Sequence, residues 1–300
     1  MRLVVTGLTG QVVSALVELG ADCADLVVLP VGRPQLDLAE PTDVEGVLRG
    51  LRPDAVVSAA AYTAVDRAET ESDLAMQVNG TGAGAVAATA AALGVPVLHL
   101  STDYVFDGAN PAPYVETDPV APMSAYGRSK LAGERAMAAA HPDHAILRTS
   151  WVYAAEGKNF LRTMLRLAAD RPEVSVVADQ QGAPSYAPDI AVAVVQVARN
   201  LLAESTRHNL RGVFHMSGGG ETTWAGFAEE IFRQSAARGG PTATVRPIST
   251  ADYPTPAARP ANSRLDCTKL KAAHAVALPE WREALARCMD RLKEQGALTR

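Results

Sequence analysis

Tyr126 precedes Lys130 by four residues in Ser124-Ala125-Tyr126-Gly127-Arg128-Ser129-Lys130, a spacing that puts a phenol and an ammonium on one helical face. A cation beside a phenol favours phenolate, so the tyrosine pKa is expected to fall from about 10 toward working pH. That tuning suits a general acid and base for a carbonyl/alcohol pair. The chain has five Lys against 23 Arg, yet this slot holds Lys, whose compact head suits ribose and phenol contacts better than a planar guanidinium. With seven Tyr in the chain, one such pair arises by chance about once in ten chains of this composition. An exposed aromatic beside a surface Lys would read the same way, so the pair gains meaning only from the elements that hold it.

Those elements begin as short apolar runs separated by helical patterns: Leu3-Val4-Val5, Leu26 to Leu29, Ala55-Val56-Val57, Val97 to Leu100 and Ala145-Ile146-Leu147. Such alternation predicts an α/β fold, a Rossmann-type doubly wound parallel sheet with crossover helices on both faces. The Ala-rich stretch Leu74 to Leu93 is the clearest helix, stopped by Gly94 and Pro96. Beyond about Trp151 the pattern loosens, with helices predicted over Ala187–Ala203 and Thr223–Ala237 and strands at Val174–Val177 and Val213–Met216. This predicts a dinucleotide-binding domain over 1–150, and over 151–300 mainly a smaller C-terminal substrate-binding α/β lobe with segments returning to the first domain. The last segment, Pro279 to Glu294, reads as a helix with Pro in its first turn.

Composition narrows the partners. A net charge of -5 and no Lys/Arg cluster argue against a nucleic-acid or anionic-membrane surface, while leaving room for a small anionic substrate. Cys23, Cys267 and Cys288 are odd in number and far apart, as expected of small buried hydrophobes in a reducing cytoplasm. Neither a leader nor an apolar run of about 18 residues follows Met1, so a cytoplasmic location is expected. The six histidines, His99, His141, His144, His208, His215 and His274, show no ligand spacing, and no metal site is expected.

Directly after the first strand stands Thr6-Gly7-Leu8-Thr9-Gly10-Gln11-Val12-Val13, opening a helix. Glycines at 7 and 10 allow a tight turn in which backbone N–H groups approach a pyrophosphate at the helix N-terminus. Gly7, Thr9, Gly10, Gln11 and Val12 are therefore candidate cofactor contacts. The third glycine of the dinucleotide pattern is replaced by Val13, which should hold helix and strand slightly further apart. The second strand ends Leu29-Pro30-Val31-Gly32-Arg33 without the acidic residue that would grip the ribose of NAD. Arg33 could instead meet a 2′-phosphate, which leans the cofactor toward NADPH, with NADH possible. Asp37 and Leu38 are expected beside the adenine, and Ala60, Ala61 and Tyr62 beneath the cofactor's middle.

With Ser101-Thr102-Asp103-Tyr104-Val105-Phe106 ending the fourth strand ahead of Tyr126 and Lys130, the chain resembles the extended short-chain dehydrogenase/reductases. Val57 to Glu69, Arg148 to Tyr153, Gln181 to Pro184 and Pro254 to Arg264 resemble the dTDP-4-dehydrorhamnose reductase family more closely. The resemblance implies NAD(P)H-dependent reduction of the 4-keto group of dTDP-4-dehydro-L-rhamnose to dTDP-L-rhamnose. It makes Tyr126 the proton donor, Lys130 its modulator and a ribose ligand, and Thr102 a donor to the carbonyl oxygen. Asp103 and Trp151 fall at sugar-contacting positions, although a core aromatic between lobes would explain Trp151 equally well. Arg259, Asn262 and Ser263 fall in a block suited to diphosphate, where Arg264 could instead brace the loop, and Asn79 resembles a residue that braces backbone. Ser58, Tyr62 and Ser185 depart from what relatives often carry. Ala15 stands where some members have a magnesium-binding Glu, which implies that this chain lacks that metal. A homodimer is plausible by resemblance. The alternatives are a reductase of another dTDP-4-keto-6-deoxyhexose and a non-catalytic NADP-binding regulatory subunit. A dehydratase would need Asp-Glu after the Thr, whereas Asp103-Tyr104 stand here.

Overall fold

A computed structural model describes residues 1–298. In chain order, the first half comprises β1 (Arg2–Thr6), α1 (Gln11–Asp22), β2 (Val27–Val31), α2 (Val44–Leu51), β3 (Ala55–Ser58), α3 (Ser72–Met76), α4 (Ala83–Leu93), β4 (Val97–Thr102), α5 (Ala125–Ala140) and β5 (His144–Thr149). The second comprises β6 (Val152–Tyr153), α6 (Phe160–Asp170), β7 (Glu173–Val177), β8 (Gln181–Gly182), β9 (Ser185–Tyr186), α7 (Ala187–Ala203), β10 (Gly212–His215), β11 (Thr222–Thr223), α8 (Trp224–Ala236), β12 (Thr244–Ile248), α9 (Thr268–His274) and α10 (Trp281–Glu294).

Six strands form one sheet in the order β10-β5-β4-β3-β1-β2, every pair parallel. The apolar runs are buried on both faces because alternate side chains enter different cores. Leu3, Val5, Val57 and Leu147 point toward α1 and α7, while Val4, Val56, Val97 and Ile146 meet residues of α2 and α4. After β1 the chain turns outward to β2 and then crosses back to β3, so the strand order reverses between β1 and β3. Ligands of open parallel sheets bind beyond the strand C-termini at such a switch point. There the turn after β1 meets the segment after β3.

One stretch differs from the sequence reading, and another is a later segment that returns to the main sheet. The Ala-rich helix is broken by a π-helical turn over Gln77–Gly82 between α3 and α4, where α5 packs so closely that a Cβ on Gly133 would lie 2.1 Å from the Asn79 carbonyl oxygen. Val213–Met216 contributes β10, which extends the main sheet beside β5, and Leu270 of α9 joins the α1 and α7 side of the same core. A separate core gathers α6, β7, α8 and α10 around the fully buried Trp281. Pro279 stands one residue before the N-cap of α10, Glu280, whose carboxylate accepts from the Arg282 N–H. Among the described residues no helix is long and apolar enough to cross a membrane.

Candidate active site

The Ser124 hydroxyl caps α5 by accepting from the Gly127 N–H at 3.1 Å, which sets Tyr126 in the first helical turn. Gly127 is required there, since a Cβ would lie 2.2 Å from the Tyr104 carbonyl oxygen. This close approach lays the start of α5 against the segment after β4. One turn on, Lys130 is buried, and its Nζ donates to the Leu100 carbonyl at 2.7 Å. The ammonium and the phenol therefore both face the C-terminal end of β4. Asn79 Oδ1 accepts from the Tyr62 N–H at 2.8 Å, and its Nδ2 donates to the Tyr62 carbonyl and to Ser129 Oγ. Through these bonds the π-helical turn fixes the segment after β3 to α5.

The charge state of the pair is the reverse of the spacing argument. The Tyr126 phenol is raised, first by burial and next by the Asp103 carboxylate, with a hydrogen bond to Thr102 pulling the other way. Burial draws Lys130 down to about 8, opposed by Glu134. Tyr126 is thus a neutral O–H at neutral pH, raised by desolvation and the Asp103 anion, while the Lys130 ammonium directs its protons at β4.

Thr102 Oγ1 donates to Asp103 Oδ1 at 3.0 Å and accepts from the Tyr104 N–H at 3.2 Å. Burial pushes the Asp103 carboxyl up to about 6, against hydrogen bonds from Ser263 and Thr102. Its Oδ2 is buried without a hydrogen-bond partner among the described residues. Close by, Arg259 Nη2 donates to Asp66 Oδ2 at 2.8 Å, while Nη1 is buried without a partner among the described residues. Burial and the Asp103 charge raise the Tyr104 phenol to about 12, with Arg259 acting in the opposite sense. An unpaired carboxylate oxygen and an unpaired guanidinium nitrogen thus lie around one set of phenols, the arrangement expected where a polar, anionic ligand completes the hydrogen bonding. Tyr104 and Asp66 were not singled out by sequence as site residues; their membership depends on loops that meet across the fold.

A cleft of about 660 Å³ runs along the switch point, lined by Gly7, Thr9, Gly10, Arg33, Asp37, Leu38, Ala60, Ala61 and Tyr62 among others. Gly7 adopts φ +105°, a left-handed conformation that favours glycine, and a Cβ there would lie 3.3 Å from Val13 Cγ2. Val13 is itself buried in the core under the turn. The cleft's walls, its glycine turn and the start of α1 fit a dinucleotide with its diphosphate at the helix N-terminus. Arg33 is exposed at the rim, and Asp37 Oδ1 accepts from the Ala39 N–H at 2.9 Å. The sequence reading overlooked Arg67 and Glu71, which also line the cleft. Glu71 accepts from Arg67 and from the Tyr62 hydroxyl, and the i, i+4 spacing of Arg67 and Glu71 was the available signal. Thr102, Tyr126 and Lys130 are not among the residues lining this cleft, but Tyr62 and Tyr126 pack on one cluster around Ala68, Ala75 and Ala125, which joins the two regions.

The side chains of Gln11 and Val12 lie away from the cleft while their backbone N–H groups stay at the start of α1, and Asn262 and Trp151 are engaged elsewhere. Gln11 lines a separate hollow between α1 and α10; its side chain donates to the Val152 carbonyl and accepts from Asn159. Val12 packs against the core on that side. Asn262 is buried and fully used: Nδ2 donates to the carbonyls of Asn110 and Ala112, and Oδ1 accepts from the Arg264 backbone and side chain. It ties the loop down rather than offering donors to a diphosphate. Trp151, at φ +50°, stacks on Trp224 with ring centroids 3.6 Å apart and is a half-buried aromatic at the edge of the second core. Among the described residues no three His, Cys, Asp or Glu side chains gather as a metal-binding group. Arg291 bridges Glu18 and Glu156 instead.

Residues 1–294 match the family model of the RmlD substrate binding domain. The chain is 52% identical over 296 residues to the dTDP-4-dehydrorhamnose reductase of Sinorhizobium fredii, with 99% of each chain covered. It is similar to the crystal structure of a dTDP-4-dehydrorhamnose reductase from Clostridium acetobutylicum, with TM-score 0.90, 35% identity and 98% and 100% of the two chains covered. It is also similar to the dTDP-4-dehydrorhamnose reductase of Bacillus anthracis in complex with NADP, with TM-score 0.87, 36% identity and 97% and 99% covered.

Proposed function

Because the chain belongs to the dTDP-4-dehydrorhamnose reductase family and so reduces the 4-keto group of dTDP-4-dehydro-L-rhamnose with NAD(P)H, we propose that Tyr126, Lys130 and Thr102 carry that reaction. The observation that supports this most is the convergence of a protonated phenol, a hydroxyl and a buried amine at the C-terminal end of β4. When bound, the nicotinamide cofactor supplies hydride to C4. Charge then develops on the C4 oxygen, and a neutral phenol is the form able to protonate it. Tyr126 gives that proton, and Thr102, once its O–H turns from Asp103 Oδ1 to the substrate, hydrogen-bonds the same oxygen, so both act more strongly on the transition state than on the ketone. Lys130 holds the cofactor ribose and restrains the phenol. Asp103, with its unpaired oxygen, accepts from a sugar hydroxyl, and Arg259 meets the anionic part of the nucleotide sugar.

The cleft residues Gly7, Thr9 and Gly10 would hold the diphosphate, and Ala60, Ala61 and Tyr62 the middle of the cofactor. Arg33 supports NADPH over NADH, since its exposed guanidinium stands where NAD-binding sheets place an acid. Arg33→Ala should lower the ratio of kcat/KM for NADPH over NADH about tenfold, the effect of losing a hydrogen bond to a charged group; an unchanged ratio removes Arg33 from cofactor choice. The three free thiols support work in a reducing cytoplasm.

The direct test is NADPH oxidation with dTDP-4-dehydro-L-rhamnose, with identification of the product's C4 configuration. Tyr126→Phe should lower kcat by about 10²-fold or more, with little change in cofactor binding. Full turnover by that variant would move proton donation to another group.

A further inference from the structure

Lys130 Nζ has three protons to place. One goes to the Leu100 carbonyl at 2.7 Å, and a second faces Nε2 of His99 at 3.4 Å. His99, in the interior of β4, is 0% exposed, and its Nδ1 lies 3.1 Å from Oγ of Ser58, which is 1% exposed. The chain Ser58–His99–Lys130 therefore runs from β3 through β4 to α5, out of reach of solvent. An ammonium can only donate, so Nε2 must be the accepting nitrogen; Nδ1 then carries the ring proton and donates to Ser58.

We propose that His99, fixed in this tautomer by Ser58, is a positioning residue of the reductase: as a neutral acceptor it anchors the Lys130 ammonium at β4 and leaves one N–H for the bound ligand. This rests on the role given to Lys130 above. A doubly protonated ring is excluded by its neighbourhood, since two cations 3.4 Å apart in the interior would repel strongly. The other groups facing this chain are Glu134 on α5, held by Ser101 and Arg148 of β4 and β5, and His144 on β5. Burial, Lys130 and His144 all lower the basicity of His99, so the ring stays neutral across the working range.

Losing the acceptor weakens the ammonium form of Lys130, which burial has already drawn to about 8. His99→Leu should move the alkaline limb of the kcat profile to lower pH by about one unit and raise the KM for NADPH about tenfold. His99→Gln, whose amide oxygen can stand in for Nε2, should restore both. Ser58→Ala, which releases the tautomer, should fall between. Parental limb and KM in His99→Leu would overturn the inference, as would a His99→Gln that melts like the parent yet behaves like the Leu variant. Should the Leu variant not fold, ¹⁵N imidazole shifts of the parent decide: a neutral Nδ1–H ring between pH 6 and 8 supports the proposal, and an Nε2–H or charged ring sinks it. Lys130→Met separates the two layers. If that variant remains active, the role given to Lys130 fails; if it is inactive while His99→Leu is unaffected, only the inference about His99 fails.

Discussion

Asp103 sits where burial and chemistry oppose each other most directly. Its carboxyl is held near pH 6 in the folded chain against 3.8 as its ordinary value, and the cause is desolvation only partly offset by Ser263 and Thr102. A group that binds its proton more tightly when folded stabilises most below its unfolded pKa, and that contribution is lost as pH rises through the folded value. Keeping Asp103 ionised at pH 7 therefore costs up to about 3 kcal/mol, while the same charge adds to burial in keeping Tyr126 protonated. Asp103→Asn should gain stability at pH 7 and gain much less at pH 4, read as the difference in urea unfolding free energy from the parent. An equal change at both pH values would show that this carboxyl is not the strained group. The Tyr126–Lys130 spacing put the two groups on one helical face but gave the wrong sign for the phenol, because sequence spacing records neither the direction of the lysine protons nor the anion arriving from the end of β4.

At the scale of elements, what could be read from sequence was periodic or local. Two-sided burial of β1, β3, β4 and β5 writes itself as Val/Leu runs, and Ser124 ahead of Gly127 marks the start of α5 through a contact three residues long. Gly94, in the left-handed conformation expected of a C-cap, ends α4 in the same local way. The π-helical turn was hidden because it lies where α5 approaches so closely that only the missing side chain of Gly133 leaves room beside the Asn79 carbonyl, a contact between distant segments. The same holds for the loop carrying Arg259. The Ser263 N–H donates to the Gln181 carbonyl and the Gln181 N–H to the Ala261 carbonyl, and a Cβ on Gly108 would lie 2.5 Å from Pro260. Pairing of this kind decides that Asn262 is spent on tying the loop to the segment at 110–112 while Arg259 keeps an unpartnered nitrogen among the described residues, a division that neither residue shows in sequence. Glu134 and Arg148, a buried pair joining α5 to β5, likewise show no signal in their separate segments. Such a pair costs desolvation that only good geometry offsets; here two hydrogen bonds between the partners and a third from Ser101 serve the carboxylate, while Arg148 Nη1 is without a partner among the described residues.

The whole molecule distributes its acid sensitivity unevenly between the main sheet and the separate core around Trp281. His99, His144, His215 and His274 all have lowered pKa values, His215 to about 3 and His274 to about 4, with burial the leading cause in each. For a base lowered on folding, the stabilisation is present above the unfolded value of about 6.5 and is lost as pH falls through the folded one. Asp103 works in the opposite direction below about 6, but it is one group against four. Three of these histidines lie on adjacent strands β4, β5 and β10, and His274 of α9 packs edge-on against Phe214 of β10. All four therefore load one half of the parallel sheet. The tryptophans are placed elsewhere: Trp281 is in the second core, Trp224 packs against it, and Trp151 stacks on Trp224. As pH falls from 6.5 toward 4, amide hydrogen exchange in β4, β5 and β10 should accelerate before tryptophan emission shifts. Loss of tryptophan burial ahead of sheet protection would place the acid-labile unit in the second core. A simultaneous loss of both signals would show that the two cores open as one cooperative unit, leaving the histidine cost shared by the whole chain.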